Sequence, residues 1–194
     1  MHGDGRERII RVLLNNPDGG LTKYRVAKLS ECSIGWTMEY LGILEKKKLV
    51  KATKVRNFGA LIDFWSEISR RPRHYDFFVA EPEKLLAATD LEYALTTYKA
   101  ENLLNHYLFP ARTDVYINAD DFAKWKKAII GAGGLVGSGN FRLLVGGGHA
   151  LYNRSRIKGL WVASLPQVLL DLKREGGAAA EAYEMMVKRH ARQR

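Results

Sequence analysis

A chain of 194 residues, 46% hydrophobic and 27% charged, is long enough for one large or two small packed domains and too apolar to be disordered. Its 31 Lys+Arg against 21 Asp+Glu give a net charge of +10, which suits a polyanionic partner, nucleic acid or anionic membrane surface, and also plain solubility. The single cysteine, Cys32, excludes an intramolecular disulfide and points to a reducing compartment. The opening MHGDGRERII lacks the apolar core of a signal peptide, and no run of roughly 18 apolar residues exists to span a membrane, so a cytoplasmic protein is expected.

In chain order, Arg6–Asn15 spells a helix with Ile9, Ile10, Val12, Leu13 and Leu14 inward and Arg8 and Arg11 on the other side. Asn16-Pro17-Asp18-Gly19-Gly20 stops it. Thr22 is the expected cap of a second short helix that buries Tyr24, Val26, Ala27 and Leu29. Ser33 caps a third, running from about Ile34 to Lys46. Leu49–Val55 is β-favouring and alternates with lysine. Helix, turn, helix, turn, helix and basic strand make the plan of a winged helix-turn-helix, and Leu21, Ala27, Leu29, Ser33, Leu41, Leu44, Glu45, Leu49 and Val50 fall where that scaffold places its residues. Lys48 stands where such domains often have Gly, so it is expected at positive φ or in a different turn.

At 100° per residue the third helix turns Thr37, Leu41 and Leu44 inward, with Ile34 and Met38 beside them. Gly35, Trp36, Glu39, Tyr40, Ile43 and Lys46 are left outward. Base readout in the major groove usually uses Arg, Lys, Asn or Gln, and none occurs before Lys46. Trp36 and Ile43 have the character of packing residues that cover another domain or a dimer partner. The basic residues Lys46, Lys47, Lys48, Lys51, Lys54 and Arg56 follow the helix and suit phosphate contacts; alternatively they form a solvated lysine cluster. Residues 1–60 carry 12 Lys+Arg against 6 Asp+Glu, so a nucleic-acid role belongs there. The candidate DNA-binding set is Trp36, Thr37, Tyr40, Lys46, Lys47, Lys48, Lys51, Lys54 and Arg56.

Residues 61–75 read as a linker ending in the basic joint Ser69-Arg70-Arg71-Pro72-Arg73. Beyond it the pattern predicts a strand at Tyr75–Ala80, a short helix ending near Thr89, and a long helix at Leu91–Tyr107. A strand at Thr113–Asn118 and a helix at Asp120–Ile130 come next. Further strands are expected at Asn140–Val145, His149–Tyr152 and Leu160–Ala163. A helix capped by Ser164 with Pro166 in its first turn and a last helix at Ala178–Arg192 complete an α+β domain. No metal, cofactor or catalytic set is expected in it. Gly131–Gly137 follows a helix and precedes strands, so its glycines are turn residues and not a phosphate loop. The five histidines lack ligand spacing.

The runs YALTTYKAENLLNHYLFP (Tyr93–Pro110), GLVGSGNFRLLV (Gly134–Val145) and VASLPQVLLDLKREGGAAAEAYEMM (Val162–Met186) resemble the AbiEi-type antitoxin family, in its winged-helix prokaryotic branch. The resemblance covers most of the chain. It implies a winged helix at 1–60 and a nucleotidyltransferase-like α+β domain at 76–194. It also implies a transcriptional regulator that represses its own operon, in a type IV toxin–antitoxin system, with double-stranded DNA as partner. A homodimer and a cognate toxin encoded nearby, not necessarily in direct contact, complete the partners. Active nucleotidyltransferases need a Gly-Ser pair and two alternating carboxylates on one strand to hold Mg²⁺. Here Thr96-Thr97 replaces the first and Asp114-Val115-Tyr116 keeps one acid, which implies an inactive domain. The alternative is an interaction module whose winged helix binds protein, and a nucleotide-processing enzyme comes third.

Overall fold

The computed structural model describes residues 2–110 and 112–192. They form two compact units: residues up to Arg70 together with those from Met185 on, and Arg71–Glu184. The described residues are α+β, with a two-stranded sheet in the first unit and a seven-stranded mixed sheet in the second, in agreement with the coarse expectation.

The first unit opens with α1 (His2–Asn15), which starts a turn earlier than the sequence suggested. Ile9, Ile10, Val12, Leu13 and Leu14 are all buried, so this stretch is wrapped on nearly every side. Arg11, expected outward, is buried too, with its guanidinium 5.1 Å from the centre of the Trp65 ring. In the turn that follows, Gly19 has φ +80°, and a Cβ there would lie 2.8 Å from Cβ of Lys54.

Helix α2 (Lys23–Leu29) is capped by Thr22, whose hydroxyl accepts from the Arg25 amide at 3.1 Å. Val26 and Ala27 are buried, but Tyr24 is 69% exposed, against expectation. Tyr24 lies about 200° around the helix from Val26, and seven residues offer only a narrow inward stripe. Helix α3 (Ile34–Lys46) is capped by Ser33, which accepts from the Trp36 amide. Both helices end alike. Glu31 (φ 53°) and Lys48 (φ 58°) sit in the left-handed region. The next amides, of Cys32 and Leu49, reach back to the carbonyls of Ala27 and Leu44, each at 3.0 Å. This is the Schellman closure, usually made by glycine.

The single strand expected at Leu49–Val55 is instead a hairpin, β1 (Val50–Lys51) and β2 (Lys54–Val55), turning at Ala52-Thr53. Val50 and Val55 pair and point inward, while Lys51 and Lys54 pair and point outward. The hairpin is laced to the helices. Asp18 bridges Lys54, the Val55 amide donates to the Pro17 carbonyl at 2.8 Å, and the buried Thr53 hydroxyl donates to the Leu21 carbonyl at 2.6 Å.

Helix α4 (Phe58–Ile68), capped by Asn57, corrects the linker expected from residue 61. Leu61, Ile62 and Trp65 are fully buried, and the Trp65 indole N–H lies 3.4 Å from the Glu7 carboxylate. Their i, i+1, i+4 spacing is a helix stripe.

In the second unit β3 (Arg73–Phe78) and α5 (Pro82–Ala88) precede β4 (Ala94–Thr96) and α6 (Thr97–Leu104). The long helix expected at Leu91–Tyr107 is therefore a strand and a shorter helix. Residues 93–97 are all buried, so the strand has no period-two alternation to give it away. Then come β5 (Thr113–Asn118), α7 (Phe122–Gly131), β6 (Leu135–Val136), β7 (Phe141–Gly146), β8 (Ser155–Ile157) and β9 (Leu160–Val162). His149–Tyr152, expected as a strand, lies largely in a 3-10 turn at Gly148–Leu151. The sheet order is β6-β3-β7-β5-β4-β9-β8, with β5–β7 and β4–β9 parallel and the other pairs antiparallel. Helix α8 (Leu165–Glu175) has Pro166 in its first turn and ends at Gly176. Helix α9 (Gly177–Arg192) follows, its residues from Met185 on belonging to the first unit.

Candidate functional site

The cationic surface of the first unit is built by the end of α3 and the hairpin. Lys46, Lys47, Lys48, Lys51, Lys54 and Arg56 are all exposed. Lys47 leans on α4, its Nζ 5.1 Å from the Phe64 ring centre. Lys51 and Lys54 stand directly opposite in register. Like charges so placed repel, and an anion between them relieves the repulsion.

Two members of the expected DNA set, Thr37 and Tyr40, are corrected. Thr37 is completely buried, its hydroxyl donating to the Ser33 carbonyl at 2.9 Å. Tyr40 is 2% exposed and stacks on Trp36 with centroids 6.0 Å apart. Burial pushes the Tyr40 phenol well above its ordinary pKa. Trp36 is half-buried, and Gly5 of α1 leaves room for it: a Cβ there would lie 3.2 Å from the indole nitrogen. Packing against the start of α1 thus turns the buried sector toward Trp36 and Tyr40. In exchange Met38 is 52% exposed and Ile34 41%. The true outer face of α3 includes Gly35, Met38, Glu39 and Lys46, so it remains poor in base readers. Exposed Arg25 and Lys28 on α2 add cations the sequence reading passed over; they lie close together around the helix.

In the second unit the strand register gathers a polar site. Asp76, Arg142, Asp114 and Thr96 form one row across β3, β7, β5 and β4, and His74, Leu144 and Tyr116 form the next. Arg142 Nε donates to Asp76 at 2.6 Å, holding that carboxyl below the usual range. Arg112 grips Asp114 through Nε (2.5 Å) and Nη2 (2.9 Å) and reaches Glu175 of α8 at 2.9 Å. The Thr97 hydroxyl donates to Asp114 as well. Asp171 of α8 is buried and accepts from Thr96 (2.7 Å), Tyr116 (2.9 Å) and Gln167 (3.1 Å). Burial raises its pKa, and those donors, with Arg174, oppose the rise.

Of these side chains Arg112, Asp114, Tyr116, Arg142, Asp171 and Glu175 line a half-open cavity of about 270 Å³, bounded also by Arg71 and Pro72, while Asp76, Thr96 and Gln167 stand behind its wall as their partners. The sequence carried a signal for it: polar residues at alternate positions of two strands, His74 and Asp76 on β3 and Asp114 and Tyr116 on β5, and Asp171, Arg174 and Glu175 at helical spacing. The polar residues from Tyr93 to Asn102 divide between the β4 segment and α6 and share no single helix face. Thr96 bonds Asp171, Thr97 bonds Asp114, and buried Glu101 accepts from the Leu108 amide at 2.7 Å.

Among the described residues no His, Cys, Asp and Glu cluster is arranged to hold a metal, and no helix is long and apolar enough to cross a membrane. No protein-family model, curated protein or solved structure matches the chain.

Proposed function

We propose that the first unit is a winged helix-turn-helix and that the protein is a DNA-binding transcriptional regulator. The observation that carries this reading is the exposed series Lys46, Lys48, Lys51, Lys54 and Arg56, held on a hairpin tied to the helices at Asp18, Pro17 and Leu21. Such cations neutralise phosphates and position a protein on a duplex. An outer α3 face of Gly35, Met38 and Glu39 offers little direct base readout, so affinity rests mainly on the backbone. The resemblance to AbiEi-type antitoxins extends the proposal to an autorepressor of a type IV toxin–antitoxin operon, with an inactive nucleotidyltransferase-like second unit. Asp114 supports inactivity: Arg112 and Thr97 already occupy the carboxylate that a divalent cation would need.

Fluorescence anisotropy with the operon's own upstream DNA, across a salt series, tests this. Log affinity is expected to fall against log salt with a slope of roughly −0.9 per phosphate contact. Absence of binding at about 50 mM salt overturns the proposal, since the electrostatic term is large there.

Exposed Ile34, Met38 and Ile43 on α3 favour a second reading, in which this face binds protein. Sedimentation of the full chain distinguishes it: Met38→Glu converts an oligomer to a monomer under that reading and changes nothing under the first.

A further inference from the structure

We propose that the cavity of the second unit is a binding site for a small phosphorylated ligand, held through its phosphoryl group. The cavity carries hydrogen-bond donors left over once its carboxylates are satisfied. Every carboxylate at the site is already engaged: Asp76 by Arg142, Asp114 by Arg112 and Thr97, Glu175 by Arg112 and Tyr98, and Asp171 by Thr96, Tyr116 and Gln167. The guanidiniums of Arg71, Arg112 and Arg142 are engaged on one edge only. Arg142 uses Nε and Nη2 on Asp76, and Arg112 uses Nε and Nη2 on Asp114 and Glu175. Arg71 uses Nη2 on the Arg174 carbonyl at 2.5 Å. Among the described residues the Nη1 groups of all three make no hydrogen bond, nor does Nε of Arg71.

All three arginines line the same cavity, and they arrive from different segments: the stretch before β3, the residue before β5, and β7. Each is fixed by its other edge, and the Arg112 guanidinium also lies 5.6 Å from the Tyr98 ring centre. Donors oriented in advance lose little freedom on binding an oxyanion. Three guanidiniums from three segments suit a tetrahedral group with several acceptor oxygens better than a planar carboxylate, which one guanidinium satisfies. Carboxylates and guanidiniums nearly balance here, so the oriented N–H groups, more than net charge, supply the attraction. A volume of about 270 Å³ takes a phosphoryl group with a small organic remainder.

The test is titration calorimetry of the full chain with inorganic phosphate, at constant ionic strength, with acetate as the comparison anion. Phosphate is expected to bind in the millimolar range or tighter, and acetate at least tenfold more weakly, given the loss of about one charge-assisted bond or more. Arg71→Gln removes an exposed side chain with a single backbone bond, so it leaves folding intact and is expected to weaken phosphate at least about tenfold. Arg142→Gln is expected to do the same, checked for folding by circular dichroism. Replacing Lys46, Lys48, Lys51, Lys54 and Arg56 by alanine is expected to leave phosphate binding unchanged. No binding by the wild-type chain overturns the proposal. So does binding that survives in Arg71→Gln, binding lost in the lysine variant, or acetate binding as tightly as phosphate.

Discussion

Lys46, Lys48, Lys51, Lys54 and Arg56 of the first unit stand in solvent with no ion pair to a carboxylate among the described residues, whereas Arg112 and Arg142 of the second lie against carboxylates in the lining of the cavity. The difference is one of dielectric as much as of position. An exposed pair at 4 Å gains about 1 kcal/mol in water, and screening limits its reach to roughly 10 Å. Cations left exposed and close together are therefore useful only to something that brings many negative charges at once. Cations pinned inside a cavity act at short range, through the direction of their N–H bonds. On the two proposals above, exposed cations of the first unit would serve a polymer and oriented guanidiniums of the second a small group.

The largest effect expected from breaking this contrast lies in the platform beneath the exposed charges. Trp65→Ala removes a fully buried indole and costs about 3–5 kcal/mol, read by denaturant unfolding. If the exposed charges act only when the helices hold them in place, DNA binding is lost with the fold. Replacing Lys48, Lys51, Lys54 and Arg56 together by alanine is expected to weaken DNA binding by roughly a hundredfold or more at low salt while leaving the melting temperature near wild type. A variant that binds DNA as before shows that the lysines are merely solvated.

Much of the first unit was legible because its determinants are local. Thr22 and Ser33 cap the helices as their side chains dictate, and Lys48 takes the left-handed corner that its place after α3 demands. Tyr40 was misplaced because its burial depends on a distant neighbour, the start of α1, which no helical wheel of α3 contains. The arginines after α4 give residues 61–75 the composition of a linker, although Leu61, Ile62 and Trp65 carry the helix stripe. The cavity was hidden for a related reason. Asp76, Arg142 and Asp114 become neighbours only through the register of β3, β7 and β5, and register is a property of pairing across long separations.

Within the second unit, Thr96→Val takes a donor from the buried Asp171 carboxyl and is expected to cost about 1–3 kcal/mol. The pH response gives a finer test. Asp171 has its folded pKa raised by burial, so its contribution to stability is complete below the ordinary carboxylate pKa and is lost as pH rises through the folded value. Asp76 is held low by Arg142, so its contribution is present above the ordinary value and is lost as pH falls through the folded one. Asp171→Asn should therefore remove only the loss on the alkaline side. Unfolding curves across a pH series check it, and an unchanged slope there sinks the assignment to Asp171.

The smallest effect expected is a gain. Lys48→Gly relieves a left-handed residue and should stabilise the first unit by up to about 1 kcal/mol. It should also weaken DNA binding slightly, so that stability and affinity move in opposite directions at one position. Glu31→Gly, at the matching corner of α2, also removes the 2.8 Å ion pair to Arg8, so its stability gain is expected to be smaller.

The lacing of the hairpin at Asp18, Pro17 and Leu21 has a thermodynamic consequence. A free two-stranded ribbon of this length is marginal in water and would have to order as it docked. Here the backbone entropy is already spent in folding, so the proposed association with a polyanion would take from the hairpin only the rotamer freedom of its lysines. Each lysine that stays loosely solvated after contact keeps part of that freedom. The backbone amides of the hairpin should then exchange with solvent at much the same rate before and after a polyanion arrives, and slowing confined to Ala52 and its neighbours would mark an ordering step at the tip.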